Sequence, residues 1–215
     1  THKLLETMKI LDIYPDSINE RHIDEAVAAL RRGEVIVYPT DTFYALGCDA
    51  LNNRAIEKIC RLKGINPDKN LLSIVCSGLS QAADYARIDN RAFRYLKEYL
   101  PGPFTFILPA ATSLPKIFKG RKSVGVRVPD HNVALALAEA LGNPLMSASV
   151  PVGDSEDALD EASDPRALGL RYSTVQDVTV VIDCGEGGRE GSTIVDITDS
   201  SAPSVIREGL RPFVV

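Results

Sequence analysis

The chain of 215 residues contains no tryptophan, two methionines, three histidines and four cysteines. These scarcities exclude whole classes of chemistry. Three scattered histidines, at 2, 22 and 131, leave no His-rich metal site and argue against a Ser-His-Asp triad. No G-x-S-x-G elbow is present either. The cysteines at 48, 60, 76 and 184 form no C-x-x-C pair, and no histidine stands at zinc-finger spacing from them. They read as reduced thiols of a cytoplasmic protein. No apolar run approaches the roughly 18 residues of a membrane-spanning helix, and the first residues lack the charged-then-apolar layout of a signal peptide. Neither G-x-x-x-x-G-K-[ST] nor G-x-G-x-x-G occurs, so a bound nucleotide would be held without the common phosphate cradles. A net charge of -5 excludes polyanion binding by bulk electrostatics, and any nucleic-acid contact must be a local patch.

What is present is an apolar content of 45%, enough for one sizeable core and a single domain over 1–215. "SINE" at 17–20 has the form of a capping box, and Ile23, Ala26, Val27 and Leu30 follow at helical spacing until Gly33. "EVIVYP" reads as a buried strand. Residues 53–63 form a helix with Ile56, Ile59 and Cys60 on one face and Gly64 as its stop. A strand at 71–75 precedes a helix at 90–100, with Phe93, Leu96 and Leu100 turned inward. Strands at 104–108 and 123–129, a helix at 132–141 and a strand from "PLMSAS" follow. Late strands fall at 178–183, 193–197 and 204–207. This alternation predicts an α/β fold with a mixed, largely covered sheet.

Several strands end in chemistry-bearing residues. "IVYPTDTFYALG" at 36–47 runs from apolar residues through Pro39 into Thr40, Asp41, Thr42, Phe43 and Tyr44, more than a turn requires. "VRVPDH" carries Arg127 and His131; "LMSAS" carries Ser147 and Ser149. Ligands in α/β sheets bind off strand carboxyl ends. Asp41 could instead cap its own turn, and His131 could be no more than a helix-start residue. "CRLKGINPDKN" at 60–70 offers Arg61, Lys63 and Lys69, and residues 115–127 offer Lys116, Lys119, Arg121, Lys122 and Arg127 without one acid. That second window is a solvated loop or a phosphate or nucleic-acid surface. Lys63 at a helix end is also stabilised by the macrodipole alone. "CGEGGREGST" at 184–193 reads as a flexible connection, and the acidic stretch 153–164 as a solvated loop before a short helix, or as a flap.

Taken in order, "PTDTFYALG", "AIEKICRLKG", "LPGPFTFIL", "VGVRVPDH" and "GSTIVDIT…VIREG" resemble the signatures of the YrdC-like family, whose members include threonylcarbamoyl-AMP synthases of tRNA modification and the YciO proteins. The resemblance covers nearly the whole chain. It implies a twisted, mixed open sheet flanked by helices, with a large concave basic face. It implies ATP as a substrate, with Mg²⁺ carried on the phosphates, and L-threonine and bicarbonate as co-substrates. It also implies contact with tRNA or double-stranded RNA and with partner proteins of that pathway. Carried over residue by residue, Lys63 and Ser147 take the catalytic places. Thr40, Tyr44, Thr105, Arg127 and Ser149 take substrate-binding places, and Lys69, Lys119, Arg121, Lys122, Ser192 and Arg207 take nucleotide- or RNA-binding ones.

Two departures stand out. The synthases resembled here carry Lys-x-Arg and Ser-x-Asn; this chain keeps Lys63 and Ser147 but has Ile65 and Ser149 at the second positions, with Pro151 two residues on. Isoleucine cannot supply a fixed cation beside phosphate, and serine offers a shorter donor than asparagine. In this the chain looks more like the YciO branch.

Overall fold

A computed structural model describes residues 7–115, 118 and 121–215. Lys116 and Lys119 lie outside the described residues. In chain order the elements are β1 (Lys9–Asp12), α1 (Glu20–Arg31), β2 (Val35–Tyr38), β3 (Ala45–Asp49), α2 (Asn53–Lys63), β4 (Ser73–Val75), α3 (Leu79–Ala83) and α4 (Asn90–Tyr99). There follow β5 (Phe104–Pro109), β6 (Ser123–Arg127), α5 (Asn132–Leu141), β7 (Leu145–Ser149), α6 (Ala158–Ser163), α7 (Pro165–Tyr172), β8 (Val178–Asp183), β9 (Thr193–Asp196) and β10 (Ser204–Arg207). The strands form one ten-stranded mixed open sheet in the order β1-β8-β2-β3-β7-β4-β6-β5-β9-β10. The β1–β8, β8–β2, β4–β6 and β5–β9 pairs are parallel and the others antiparallel. The expected α/β architecture is observed.

The period of two along each strand sorts side chains into two cores. Val35, Val37, Leu46, Ile74 and Phe106 face α2, α4 and α7 through Ile56, Ile59, Leu96 and Leu168. Ile36, Tyr38, Ala45, Val75 and Leu145 face α1 and α5 through Ile23, Leu30, Val133 and Leu137. Among the described residues this second core holds no residue of β6, β5, β9 or β10. The α1–α5 pair thus covers only half of its face. The uncovered half is where the polar strand residues collect.

Several local expectations change. The N-cap of α1 is Asn19, whose side chain accepts from the amides of Arg21 and His22; Ser17 lies two residues before that cap, so the expected capping box does not form. Phe93 is 45% exposed, because Ala92 and Leu96 rather than Phe93 form the buried stripe of α4. Sequence periodicity missed β1, a four-residue strand of mostly exposed residues, and β3, whose Ala, Gly and Asp are poor strand formers placed there by tertiary pairing. The acidic stretch contains α6 and ends in Asp164, which caps α7. The glycine-rich connection is tightly packed: a Cβ on Gly188 would lie 2.3 Å from the Thr42 carbonyl oxygen, so only glycine admits that approach. Among the described residues no helix is long and apolar enough to cross a membrane.

Candidate functional site

The turn between β2 and β3 is built by its own hydroxyls. Thr40 Oγ1 accepts the Thr42 amide at 3.1 Å and donates to the Phe43 carbonyl at 2.8 Å. A threonine at this spacing locks the loop locally, and its oxygen is spent there. Asp41 reaches across to β6. Its Oδ1 accepts from Arg127 Nη2 at 2.9 Å and its Oδ2 from the Asp130 amide at 2.9 Å. Arg127 Nη2 also donates to Thr42 Oγ1 at 3.1 Å. The two side chains are only 11% and 10% exposed. Burial pulls the Arg127 guanidinium below the usual arginine value, with the Asp41 carboxylate opposing the shift. Arg127 Nε is buried and has no hydrogen-bond partner among the described residues. A guanidinium donor left unmet in a buried wall is costly.

Arg127 stands in a pocket of about 320 Å³ on the uncovered half of the sheet. Among the described residues three cations line it: Lys63 from the end of α2, Arg127 from β6 and Arg207 from β10. Six hydroxyl side chains join them, Thr42, Ser73, Thr105, Ser147, Ser149 and Ser192. Phe43, Ile65 and Leu71 give it apolar walls, and among the described residues no carboxylate appears in the lining. The sheet register explains the convergence. Ser73 lies beside Gly125 on one side and Ser147 on the other. Thr105, Ile194 and Arg207 lie abreast across β5, β9 and β10. Gly125 keeps the floor open, since a Cβ there would come within 2.5 Å of Ser73 Oγ.

Lys63 Nζ donates to the Ser149 carbonyl at 2.7 Å and to its Oγ at 3.2 Å. Burial, aided by the Arg207 charge, lowers its pKa. Arg207 holds the Ser192 carbonyl through Nε at 3.2 Å and Nη2 at 2.8 Å, and Ser192 Oγ meets Thr105 Oγ1 at 2.8 Å. A larger hollow of about 460 Å³ lies beside Lys9, Glu25 and Arg32. Its charges are of both signs and Lys9 is already paired with Glu25, so the convergent chemistry belongs to the smaller pocket.

Seven of the sequence-selected residues therefore meet: Lys63, Thr105, Arg127, Ser147, Ser149, Ser192 and Arg207. Others do not. Thr40 is held in its turn, and Thr42 occupies the wall instead. Tyr44 is wholly buried; its hydroxyl donates to the Gly185 carbonyl at 2.8 Å and accepts the Cys184 amide at 3.1 Å, stapling the 184–192 loop. Burial raises its pKa. Phe43 lines the pocket in its place. Lys69 and Lys122 are exposed away from the lining, and Arg121 donates to the Pro67 carbonyl. Lys119 lies outside the described residues. His131 caps α5, its Nδ1 accepting the Val133 amide at 3.3 Å. Thr42 and Ser73 were not selected from the sequence. Thr42 was one of several candidates in a dense cluster, and a lone serine at a strand start carries no signal.

Comparison with known proteins agrees with this geometry. The Sua5/YciO/YrdC family model, described as "Telomere recombination", matches residues 28–209. YciO of Escherichia coli K12 is 40% identical over 207 residues, covering 94% of this chain and 97% of that protein. The crystal structure of E. coli YciO superposes with a TM-score of 0.85 at 38% identity, covering 94% and 96% of the two chains. A threonylcarbamoyl-AMP synthase of Bacillus subtilis is 31% identical, covering 90% of this chain and 55% of that one. Sua5 of Pyrococcus abyssi, solved in complex with L-threonine, superposes with a TM-score of 0.80 at 29% identity, covering 94% and 57%. On sequence, topology and extent alike, the chain belongs to the Sua5/YciO/YrdC family.

Proposed function

We propose that the pocket binds an adenine nucleotide together with L-threonine and that the chain forms threonylcarbamoyl-AMP. The observation that carries this reading is the convergence of Lys63, Arg127 and Arg207, with no carboxylate in the lining among the described residues, in a chain of net charge -5. Such a site selects anions: a carboxylate suits a guanidinium fork, and phosphates suit lysine and arginine together. The names of the relatives support the same ligands, since one is a threonylcarbamoyl-AMP synthase and another was solved with L-threonine.

In this reading Arg127, fixed by Asp41, takes the threonine carboxylate, and the Ser147 hydroxyl helps to orient the amino acid. Threonine nitrogen adds to the bicarbonate carbon with loss of water, giving a carbamate. A carbamate oxygen then attacks the α-phosphorus of ATP. The bond to the bridging oxygen of the β-phosphate breaks, and pyrophosphate leaves with the electron pair. Lys63 and Arg207 meet the charge that builds on the phosphates. Among the described residues no carboxylate lines the pocket, so in this reading a Mg²⁺ ion would be held by ATP itself. The same reading places the chain in the cytoplasm, working with the partner proteins and tRNA of threonylcarbamoyladenosine formation. Double-stranded RNA or tRNA would then contact the 115–127 window.

One observation favours a second reading. Ile65 lines the pocket at the position where the synthases resembled here carry the arginine of Lys-x-Arg, and Lys63 leans on Ser149. A YciO-type chain would bind the same ligands and do weaker or different chemistry. The deciding assay is pyrophosphate release from ATP with and without L-threonine and bicarbonate. Release that needs both supports the synthase reading. ATP binding without release supports the second, and Ile65→Arg with Ser149→Asn should then raise release. No gain in that double variant removes those positions as the cause.

A further inference from the structure

The lining serine Ser147 is held from behind by a residue outside the pocket. Tyr38 ends β2, two strands away from Ser147 on β7, with β3 between them. The residue of β3 paired directly with Ser147 is Gly47. Because it has no side chain, the Tyr38 ring lies across it; a Cβ there would come within 2.6 Å of Tyr38 Cε1. The phenol crosses β3 over this gap and donates to Ser147 Oγ at 2.6 Å. Tyr38 is fully buried and Ser147 is 7% exposed, at the pocket wall.

We infer that Tyr38 is a positioning residue for the pocket: its phenol holds Ser147 so that the serine's own proton donates to an anionic oxygen of the bound ligand. The argument is one of proton accounting. A serine hydroxyl has one proton and two lone pairs. Tyr38 fills one lone pair with its own proton. Burial pushes that phenol up to about 12, so it stays a donor throughout the neutral range. The Ser147 proton is left for the pocket side, where Arg127 and Lys63 already favour an acceptor. A carboxylate or phosphate oxygen fits as the acceptor of that proton. The inference rests on the reading of this pocket as a ligand site.

The test is Tyr38→Phe, which keeps the ring over Gly47 and removes only the donor. Binding of ATP, L-threonine and inorganic pyrophosphate is measured by calorimetry, with circular dichroism and Tm as fold controls. The expected result is that a probe bound by the parent protein weakens about three- to tenfold in the variant, the range of one ordinary hydrogen bond. Ser147→Ala should weaken it at least as much. Adding Tyr38→Phe to Ser147→Ala should cost nothing further, whereas a merely structural tyrosine would cost the same in both backgrounds. Unchanged affinity in Tyr38→Phe, or an equal loss with Ser147 absent, overturns the inference and leaves the pocket reading intact. Failure of all three probes to bind the parent overturns both. If Tyr38→Phe does not fold, 3-fluorotyrosine at position 38 keeps the shape and strengthens the donor. Binding should then tighten only when Ser147 is present, and no change overturns the inference.

Discussion

Asp41→Asn tests the centre of the site most directly. Asp41 is the only carboxylate paired with Arg127 among the described residues, and both side chains are about nine-tenths buried. The substitution removes the countercharge and also spoils the hydrogen bonding. Asp41 accepts through both oxygens, from Arg127 and from the Asp130 amide. An asparagine must turn its own NH₂ toward one of these donors. Breaking a buried ion pair on one side costs about 3–5 kcal/mol, because the remaining charge stays buried without its partner. The neutral amide keeps one acceptor, so about 3 kcal/mol is expected. For a domain of this size that corresponds to a fall in Tm of roughly 6–12 °C. Urea unfolding followed by circular dichroism gives the free energy, with an unchanged m-value as the check that only stability moved. A loss under about 1 kcal/mol would be the behaviour of a solvent-screened surface pair. It would refute the view that Arg127 sits in a low-dielectric wall held by Asp41.

Two other outcomes follow from the packing and the buried phenol. Gly188→Ala should destabilise by about 1–3 kcal/mol, since its Cβ would meet the Thr42 backbone at 2.3 Å and 2.8 Å. Gly78→Ala, with open space around it and an extended backbone, should be near neutral in the same thermal melts. Equal melting of the two variants would show that the 184–192 loop does not press on the 40–44 turn. Tyr38 titrates near 10 when exposed and at about 12 in the fold. Its stabilising contribution is therefore complete below pH 10 and is lost as pH rises through about 12. Tyr38→Phe should lose up to about 3 kcal/mol less than the parent across that interval, read from urea midpoints at stepped pH. Parallel losses in the two proteins would mean that other buried groups set the alkaline limit.

Much of the fold was legible in the chain itself. Helical spacing with Gly33 and Gly64 beyond the last turns marked α1 and α2, because a left-handed glycine is a local requirement. Apolar runs closed by proline marked β2 and β5 for an equally local reason. The cationic and hydroxyl members of the site, Lys63, Arg127, Ser147 and Arg207, could be selected because each stands in a recognisable segment. The strand order, in contrast, belongs to the whole sheet. Only that order sets Ser73 beside Ser147, brings β10 round to the pocket and leaves half of one face uncovered by α1 and α5. The same holds for what each oxygen does. Thr40 and Thr42 are identical residues two positions apart, yet one is consumed by its turn and the other faces the pocket. Tyr44 looked like a wall and is a staple; Tyr38 looked like core and reaches Ser147. Sequence determined which segments carry chemistry, since residue type and local spacing are written in it. Tertiary structure decided which groups meet, since hydrogen-bond partners across 86 to 141 positions are fixed only when the strands pair.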